Sequence, residues 1–385
     1  MKKLLTTIVA LSMALGLMTA CGKDSESSTV SQTTADTAGS QPSSSQTGET
    51  TVKPFKLGFS VWGTSDNHGR YVTQAAEWCE ALGGEVIVDS GALTPEAQIA
   101  SIENLIQSGC DIVTFCAYTG ESIIPKISQL CKENEVYFAI WDTTITDADI
   151  LEMVNANPYF CGTTNEDQFE AGYQEVSILA DKGAENFMFI KYAVGVATCD
   201  EREKGALKAI EDLGLTNVYT IVAPEDVKKA VQDVLTNYPE VDGIISLGAA
   251  ATYITPAIQA IDAVGRKGEV MTAAFDFSDT MGGENEAGDL SLVFGGHVVT
   301  THFANIMCIS AFSGNPINAD KEQLTIPYLT ITSQADIDDY NKYIIGETPP
   351  YTAEEMLDSI SGKTFEEFQQ IVSEYSIQTI AEKMQ

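Results

Sequence analysis

From Pro54 onward the chain alternates short continuous apolar runs with stretches of helical periodicity. Phe55 to Val61 reads as a strand, and the helix after it carries Val72, Ala75, Ala76, Cys79 and Leu82 on one stripe before Gly83-Gly84. Glu85 to Asp89 is a second strand; Thr94 opens a helix with Ile99, Ile102, Leu105 and Ile106 that closes at Gly109. Asp111 to Ala117 is a third strand, followed by a stripe of Ile123, Ile127, Leu130 and Cys131. The fourth strand, Val136 to Trp141, runs straight into Asp142. The pattern then restarts, with strands predicted at 187–190, 218–222, 243–247, 270–275 and 290–294. Between them lie stripes such as Val227, Ala230, Val231, Val234 and Ile254, Ala257, Ile258, Ile261. Continuous apolar strands alternating with amphipathic helices predict parallel sheets covered on both faces. Two such series in succession predict an α/β protein of two doubly wound lobes. Ligands of such sheets sit beyond the carboxyl ends of the strands, and a cleft between lobes is a favoured place. An acidic extension, Gln334 to Gln385, follows; its last helix puts Phe365, Phe368, Val372 and Tyr375 on one face, which predicts packing on a lobe.

The amino terminus changes the expected compartment. Lys2 and Lys3 precede an apolar run from Leu4 to Leu17, and Met18-Thr19-Ala20-Cys21 places small residues before a cysteine. That order is a secretory signal, and Cys21 after Thr-Ala resembles a bacterial lipobox, in which the cysteine is lipidated. The run is short for an uncleaved membrane span, which needs roughly 20 apolar residues. Residues 22–52 hold 15 Ser or Thr and no aromatic ring. Such a stretch buries too little apolar surface to order itself and is expected to be a disordered tether spanning about 30 Å.

Composition then excludes function classes. A formal net charge of −34, from 55 acidic against 21 basic residues, leaves no clustered Lys and Arg for displacing phosphate counterions, so nucleic acid is not an expected partner. Seven cysteines follow Cys21, without CxxC pairs, and most read as small buried hydrophobes; a Cys110–Cys131 pair stays open. No GxSxG, HExxH, GxGxxG or phosphate-binding glycine loop is present, so no enzyme and no cofactor is expected. The histidines are His68, His297 and His302; a site of His68, His297, Asp66 and Asp276 for a metal is weaker than their reading as hydrogen-bonding groups, and no metal is expected.

Three stretches carry a resemblance to a known family: Ala97 to Cys110 with Asp111-Ile112-Val113; Gly162-Thr163-Thr164-Asn165 through Ala171-Gly172; and Arg202-Glu203-Lys204-Gly205 with Phe275-Asp276 ending a strand. Their order and spacing, over roughly Lys56 to Thr330, resemble the ribose-binding-like, type 1 periplasmic binding proteins. The resemblance implies two lobes joined by a three-crossing hinge, with crossings near Thr164, Gly296 and Pro327, that close on a ligand. The amino-terminal order and composition described above give residues 1–20 as signal peptide and 21–52 as lipidated Cys21 with its tether. The resemblance further implies 53–164 plus 297–326 as the N-terminal lobe, and 165–296 plus 327–385 as the C-terminal lobe with its extension. It also implies Asp142 as the ligand-binding aspartate ending the fourth strand, Arg202 as the second-lobe arginine, and Phe275 with Asp276 as the Phe-Asp pair. A sugar's hydroxyls donate to carboxylates and accept from arginine while its C–H faces lie on aromatic rings.

The departures bear on the ligand. The first loop, where the family carries adjacent aromatics, is here Trp62-Gly63-Thr64-Ser65-Asp66-Asn67-His68, so Trp62 is the expected ring and Asp66, Asn67 and His68 its polar companions. The family's arginine after the strand-four aspartate is Thr143, its Asn-Asp-Glu loop is Gly248-Ala249-Ala250-Ala251-Thr252, and its glutamine near a crossing falls at Gly296 or His297. Tyr118 and Trp141 are further candidates for stacking. The expected function is an extracytoplasmic solute-binding lipoprotein that hands a monosaccharide, related polyol or nucleoside to an ABC transporter permease. A ligand receptor serving a membrane sensor stays open beside it. A lactose-repressor-like regulator is excluded by the absence of a basic N-terminal helix-turn-helix.

Overall fold

The computed structural model describes residues 51–64, 67–191, 197–277 and 290–384, with backbone alone for 67–70 and 249–251. The first series of units forms β1 (Lys56–Val61), β2 (Glu85–Ser90), β3 (Ile112–Phe115), β4 (Tyr137–Trp141) and β5 (Phe160–Glu166). The second forms β6 (Asn186–Lys191), β7 (Thr216–Val222), β8 (Gly243–Ala249), β9 (Met271–Phe275) and β10 (Leu292–Gly295). Two short strands, β11 (Gln323–Ile326) and β12 (Leu329–Ile331), complete the two sheets. The orders are β11-β5-β4-β3-β1-β2 and β12-β10-β9-β8-β6-β7, so each strand of one sheet has a counterpart in the other. All pairings are parallel except β10 with β12. The apolar runs fill both interiors: β3 is buried at every position, and β4 and β9 at all but their first.

The chain passes between sheets three times: after β5 ends at Glu166, between β10 and the helix Val298–Phe312, and at Pro327-Tyr328 between β11 and β12. β5, β11 and β12 were not expected as strands. β5 (FCGTTNE) is buried throughout although mostly polar, because it is flanked by β4 and β11 and its end forms a crossing.

The amino ends of the two sheets are closed by matching aspartates. Asp111 Oδ2 accepts from the Lys56 backbone N–H at 2.8 Å, and Asp242 Oδ1 accepts from Asn186 N–H at 2.7 Å. Each carboxylate precedes a central strand and caps the start of the neighbouring one.

The helix Val298–Phe312 is buried on every side from Val298 to Ser310. One side packs on β3, β4 and β5. The other is covered by the helix Asn67–Ala81, whose Trp78 lies 5.9 Å from His302, and by the extension, whose Tyr351 and Phe368 meet Phe303 edge-on at 5.4 and 5.8 Å. A helix buried all round must be covered all round, and the extension supplies part of that cover. The helices Ala353–Asp358 and Phe365–Ser373 thus pack on first-lobe elements, although the resemblance grouped them with the second lobe, while Ile377–Lys383 packs on residues 334–344. On the way there, Tyr340 packs on Phe277 at 5.1 Å and receives a hydrogen bond from Gly296 N–H at 3.1 Å, while Tyr375 OH donates to Gly296 O at 3.1 Å. Gly296 has φ +98° and a Cβ there would lie 2.5 Å from Leu329, so both backbone and space require glycine.

All seven described cysteines are free and buried, and Cys110 and Cys131 are not paired. Cys21 and its tether lie outside the described residues.

Candidate functional site

Strands β4 and β9 occupy equivalent places in their sheets, and each ends in an aspartate with a left-handed backbone: Asp142 at φ +49° and Asp276 at φ +63°. Aspartate tolerates this region better than most residues, yet such residues cost energy and collect at functional sites. The conformation turns the chain at once and holds the carboxylate at the strand's carboxyl end.

Between them stands His297, at the second crossing. Its Nδ1 lies 2.7 Å from Glu166 Oε1 and its Nε2 lies 2.7 Å from Asp276 Oδ1. Glu166 ends β5 of the first sheet and Asp276 ends β9 of the second, so the imidazole ties the two lobes at the hinge. Burial opposes a charge on His297, but Glu166 and Asp276 outweigh it and hold the imidazolium well above the ordinary imidazole range. Both ring nitrogens then donate.

Asp142 is treated differently. Burial, then the charge of Glu166, raise its carboxyl to about 8, against a smaller opposing pull from His297 and Thr300. Its backbone N–H donates to Thr164 O at 2.9 Å, so β4 continues onto β5 up to the aspartate itself. One ligand atom from each of Asp142, Glu166 and His297 falls within 4.8 Å of the others, a set that could in principle hold a metal. Two 2.7 Å bonds already engage both nitrogens of His297, so a metal would have to break the Glu166 contact first.

Arg202 lies a layer behind. It is buried, with its guanidinium 3.5 Å above the Phe275 ring. Nε donates to Gln168 Oε1 at 2.8 Å, Nη1 to Leu247 O at 3.1 Å and Nη2 to Tyr328 OH at 2.9 Å. The burial has a backbone cause. The helices Gln168–Asp181 and Ala197–Leu213 cross so closely that a Cβ on Gly172 would meet Arg202 O at 2.0 Å, and one on Gly205 would meet Phe169 O at 1.8 Å. Only glycine permits that approach, which draws Arg202 under the hinge.

A cavity of about 620 Å³ opens in front of this seam. Its first-lobe wall includes Tyr118, Glu121, Asp142 and Thr143, and its second-lobe wall includes Gln168 and Glu201. Thr143 Oγ1 accepts from Ala117 N–H at 3.0 Å and donates to Trp141 O at 3.2 Å, which fixes the loop beside Asp142. Tyr118 meets Trp62 edge-on at 5.0 Å, and Trp62 lies 6.2 Å from the buried Trp141.

Of the residues expected from sequence, Asp142 lines the cavity. Asp276 and His297 form the seam beside it, Arg202 and Phe275 form the stack beneath, and Trp62 backs Tyr118. Asp66 lies outside the described residues, as do the side chains of Asn67 and His68. The structure adds Glu166, Gln168, Glu121, Glu201 and Tyr328, none of which sequence reasoning singled out. The faint signal was Glu166 and Gln168 just past the Gly162–Asn165 stretch, where the chain leaves the first lobe.

Two doubly wound lobes, three crossings and a polar cavity across their strand ends define a two-lobed solute-binding protein. The chain belongs to the family whose model is described as periplasmic binding protein domain, which matches residues 57–294. That family consists of substrate-binding proteins rather than enzymes. The D-xylose-binding periplasmic protein of Escherichia coli (strain K12) is 25% identical over 210 residues, covering 51% of this chain and 59% of that protein. Its counterpart in Haemophilus influenzae is 28% identical over 210 residues, covering 51% of this chain and 58% of that protein. The chain thus spans less than two thirds of either relative. Among solved structures, a periplasmic solute-binding protein from Actinobacillus succinogenes 130z with bound D-allose superposes with a TM-score of 0.64 at 18% identity, covering 75% of this chain and 100% of that one. A solute-binding protein from Bacillus halodurans C-125 with bound myo-inositol gives 0.60 at 17% identity, covering 74% and 96%. These establish the shared fold.

Proposed function

We propose that this protein captures a sugar or sugar-like small molecule between its lobes and delivers it to an ABC importer. The observation that carries the reading is the cavity of about 620 Å³ walled by strand-end loops of both lobes. It combines a carboxyl group, hydroxyls, an amide and an aromatic ring, the groups that match a polyhydroxylated ring with apolar faces. Relatives described as binding D-xylose, and folds described with D-allose and myo-inositol, support the same substrate class. We further propose an extracytoplasmic location with the protein held to the membrane through lipidated Cys21, on the signal and lipobox-like order of residues 2–21. Among the described residues no helix is long and apolar enough to cross a membrane.

A thermal-shift screen against sugars, polyols, nucleosides and amino acids tests the substrate class. A ligand at 100 times its Kd adds about 2.7 kcal/mol to stability. A shift with one sugar or polyol is the expected result; response confined to amino acids or nucleosides would overturn it. Asp142→Ala should then weaken that ligand by at least about 1.5 kcal/mol, the scale of a hydrogen bond to a charged group, as read by calorimetry.

A further inference from the structure

The strand β5 and the helix Val298–Phe312 both leave the hinge and run side by side through the first lobe. At the hinge end Glu166 meets His297 at 2.7 Å, and behind it Thr164 Oγ1 donates to Thr300 O at 2.9 Å. Spacing then decides what comes next. From Glu166 back to Cys161 is five residues, about 17 Å of strand. From His297 on to Cys308 is eleven residues, about 17 Å of helix and three full turns, which returns Cys308 to the face of His297. The two cysteines therefore stand level. In a regular strand Cys161 would still point away from Thr164 and Glu166. A bulge prevents this: Phe160 stands opposite Phe138 but Thr163 opposite Ile140, and Gly162 takes φ +114°. The extra residue turns Cys161 to the helix side. Its Sγ is hydrogen-bonded to the Cys308 thiol, and it donates in turn to Tyr159 O at 3.6 Å. Asn318 Nδ2 spans the same seam, donating to Cys161 O at 3.2 Å and to Met307 Sδ at 3.6 Å.

The two thiols differ in access. Cys308 is fully buried, whereas Cys161 lines a cavity of about 310 Å³ at the amino end of β5, beside Met307, Asn318 and Lys321. We infer that Cys161 and Cys308 are a dithiol that a small organic disulfide, entering through this cavity, oxidises to a disulfide bond clipping β5 to the helix. Cys161 Sγ attacks one sulfur of the reagent, joins it and expels the other half as a thiolate. Cys308 Sγ then attacks Cys161 Sγ and expels the second half, each cysteine giving its proton to water. Two protein thiols are oxidised and the reagent is reduced to two thiols. Burial holds the Cys308 thiol well above the ordinary thiol range, so it is the second, slower partner. The extracytoplasmic location proposed above is one in which such a bond persists. The clip would join covalently, at their far ends, the two elements that Glu166 and His297 join at the hinge.

The test incubates the full chain, natively folded at pH 8, with bis(2-hydroxyethyl) disulfide and maps its peptides by mass spectrometry without reduction. The expected product is a peptide pair joining Cys161 to Cys308, lighter by two hydrogens than its reduced parts. The oxidised protein should melt about 5 °C or more above the reduced one, since the bond constrains the unfolded chain, and dithiothreitol should restore the lower Tm. Cys308→Ala should stop at a mixed disulfide on Cys161; the wild-type map decides the pairing even where that variant fails to fold. A wild-type Cys161 that stops at the mixed disulfide would overturn the inference. So would thiols that react only in urea, or a bond from Cys161 to Cys131, whose charge it also feels. A Cys161–Cys308 bond that leaves Tm unchanged would overturn the clip.

Discussion

Asp142 and Asp276 are the same residue in the same place of two similarly ordered sheets, each turned by a left-handed backbone at the end of its strand. They end in opposite electrostatic states. Asp276 is 39% exposed and holds the imidazolium of His297 at 2.7 Å; Asp142 has Oδ1 shut away from solvent and its carboxyl raised to about 8. Backbone repetition therefore does not set chemistry. What sets it is enclosure and neighbours: Asp142 is buried beside the charge of Glu166, whereas Asp276 is part exposed and bonded to the histidine of the second crossing.

Removing that histidine should erase the difference and have the largest effect. His297→Leu leaves Glu166 buried without its cation, and breaking a buried pair in this way costs about 3–5 kcal/mol; urea unfolding at pH 7 reads it. A loss below about 1 kcal/mol would mean that the imidazolium does not organise the hinge.

Next comes Asp276→Asn, which keeps the shape and removes the charge that His297 bonds. It should cost about 1–2 kcal/mol at pH 7, the worth of a charged hydrogen bond. Asp142→Asn should instead act through pH. The folded pKa of Asp142 lies above its unfolded value of 3.8, so the folded state binds more protons and this group lowers stability as pH rises from about 4 to about 8. His297 has the same sign, but well below pH 6.5 it is protonated in both states and contributes little slope, and that slope is common to both proteins. Between pH 5 and 6, then, the wild type should lose stability relative to Asp142→Asn by up to about 1 kcal/mol per pH unit. A parallel pair of curves would show that the two aspartates are electrostatically alike.

Glu175 extends the comparison to an acid with no hydrogen-bond partner among the described residues. It is fully buried, with both oxygens inside, and burial raises its carboxyl well above the usual range despite Arg202 nearby. Glu175→Met should raise stability by about 1 kcal/mol, since an unsatisfied buried polar group is exchanged for packing. Calorimetric Tm would report this smallest change.

Much of the fold was legible because its signal is local. A run such as Val136–Trp141 that stops on a carboxylate announces both a buried strand and a strand-end site, and β4 with Asp142 is what stands there. Glu166 was not legible, because its partner His297 is 131 residues away and nothing in a polar stretch marks which acid will be buried. Arg202, flanked by Glu201 and Glu203, looks like a surface residue; its burial depends on Gly172 and Gly205, whose meaning appears only when the two helices are crossed. β11 and β12 are four and three residues long around Pro327, too short for any period to show.

The two phenols on Gly296 make the hinge a jointed lever. Its middle crossing is gripped at both the N–H and the C=O by side chains from the last 50 residues, a segment that touches Phe277 of the second lobe through Tyr340 and Phe303 of the first through Phe368. If the lobes close on a ligand as proposed, the motion would carry the tail along or slide beneath it, and a pull on the carboxyl terminus would be felt at the peptide next to His297. For anyone immobilising this protein, the end chosen for attachment becomes part of the measurement. A tether at the amino end leaves this grip untouched, whereas one at the carboxyl end loads the joint that brings the lobes together.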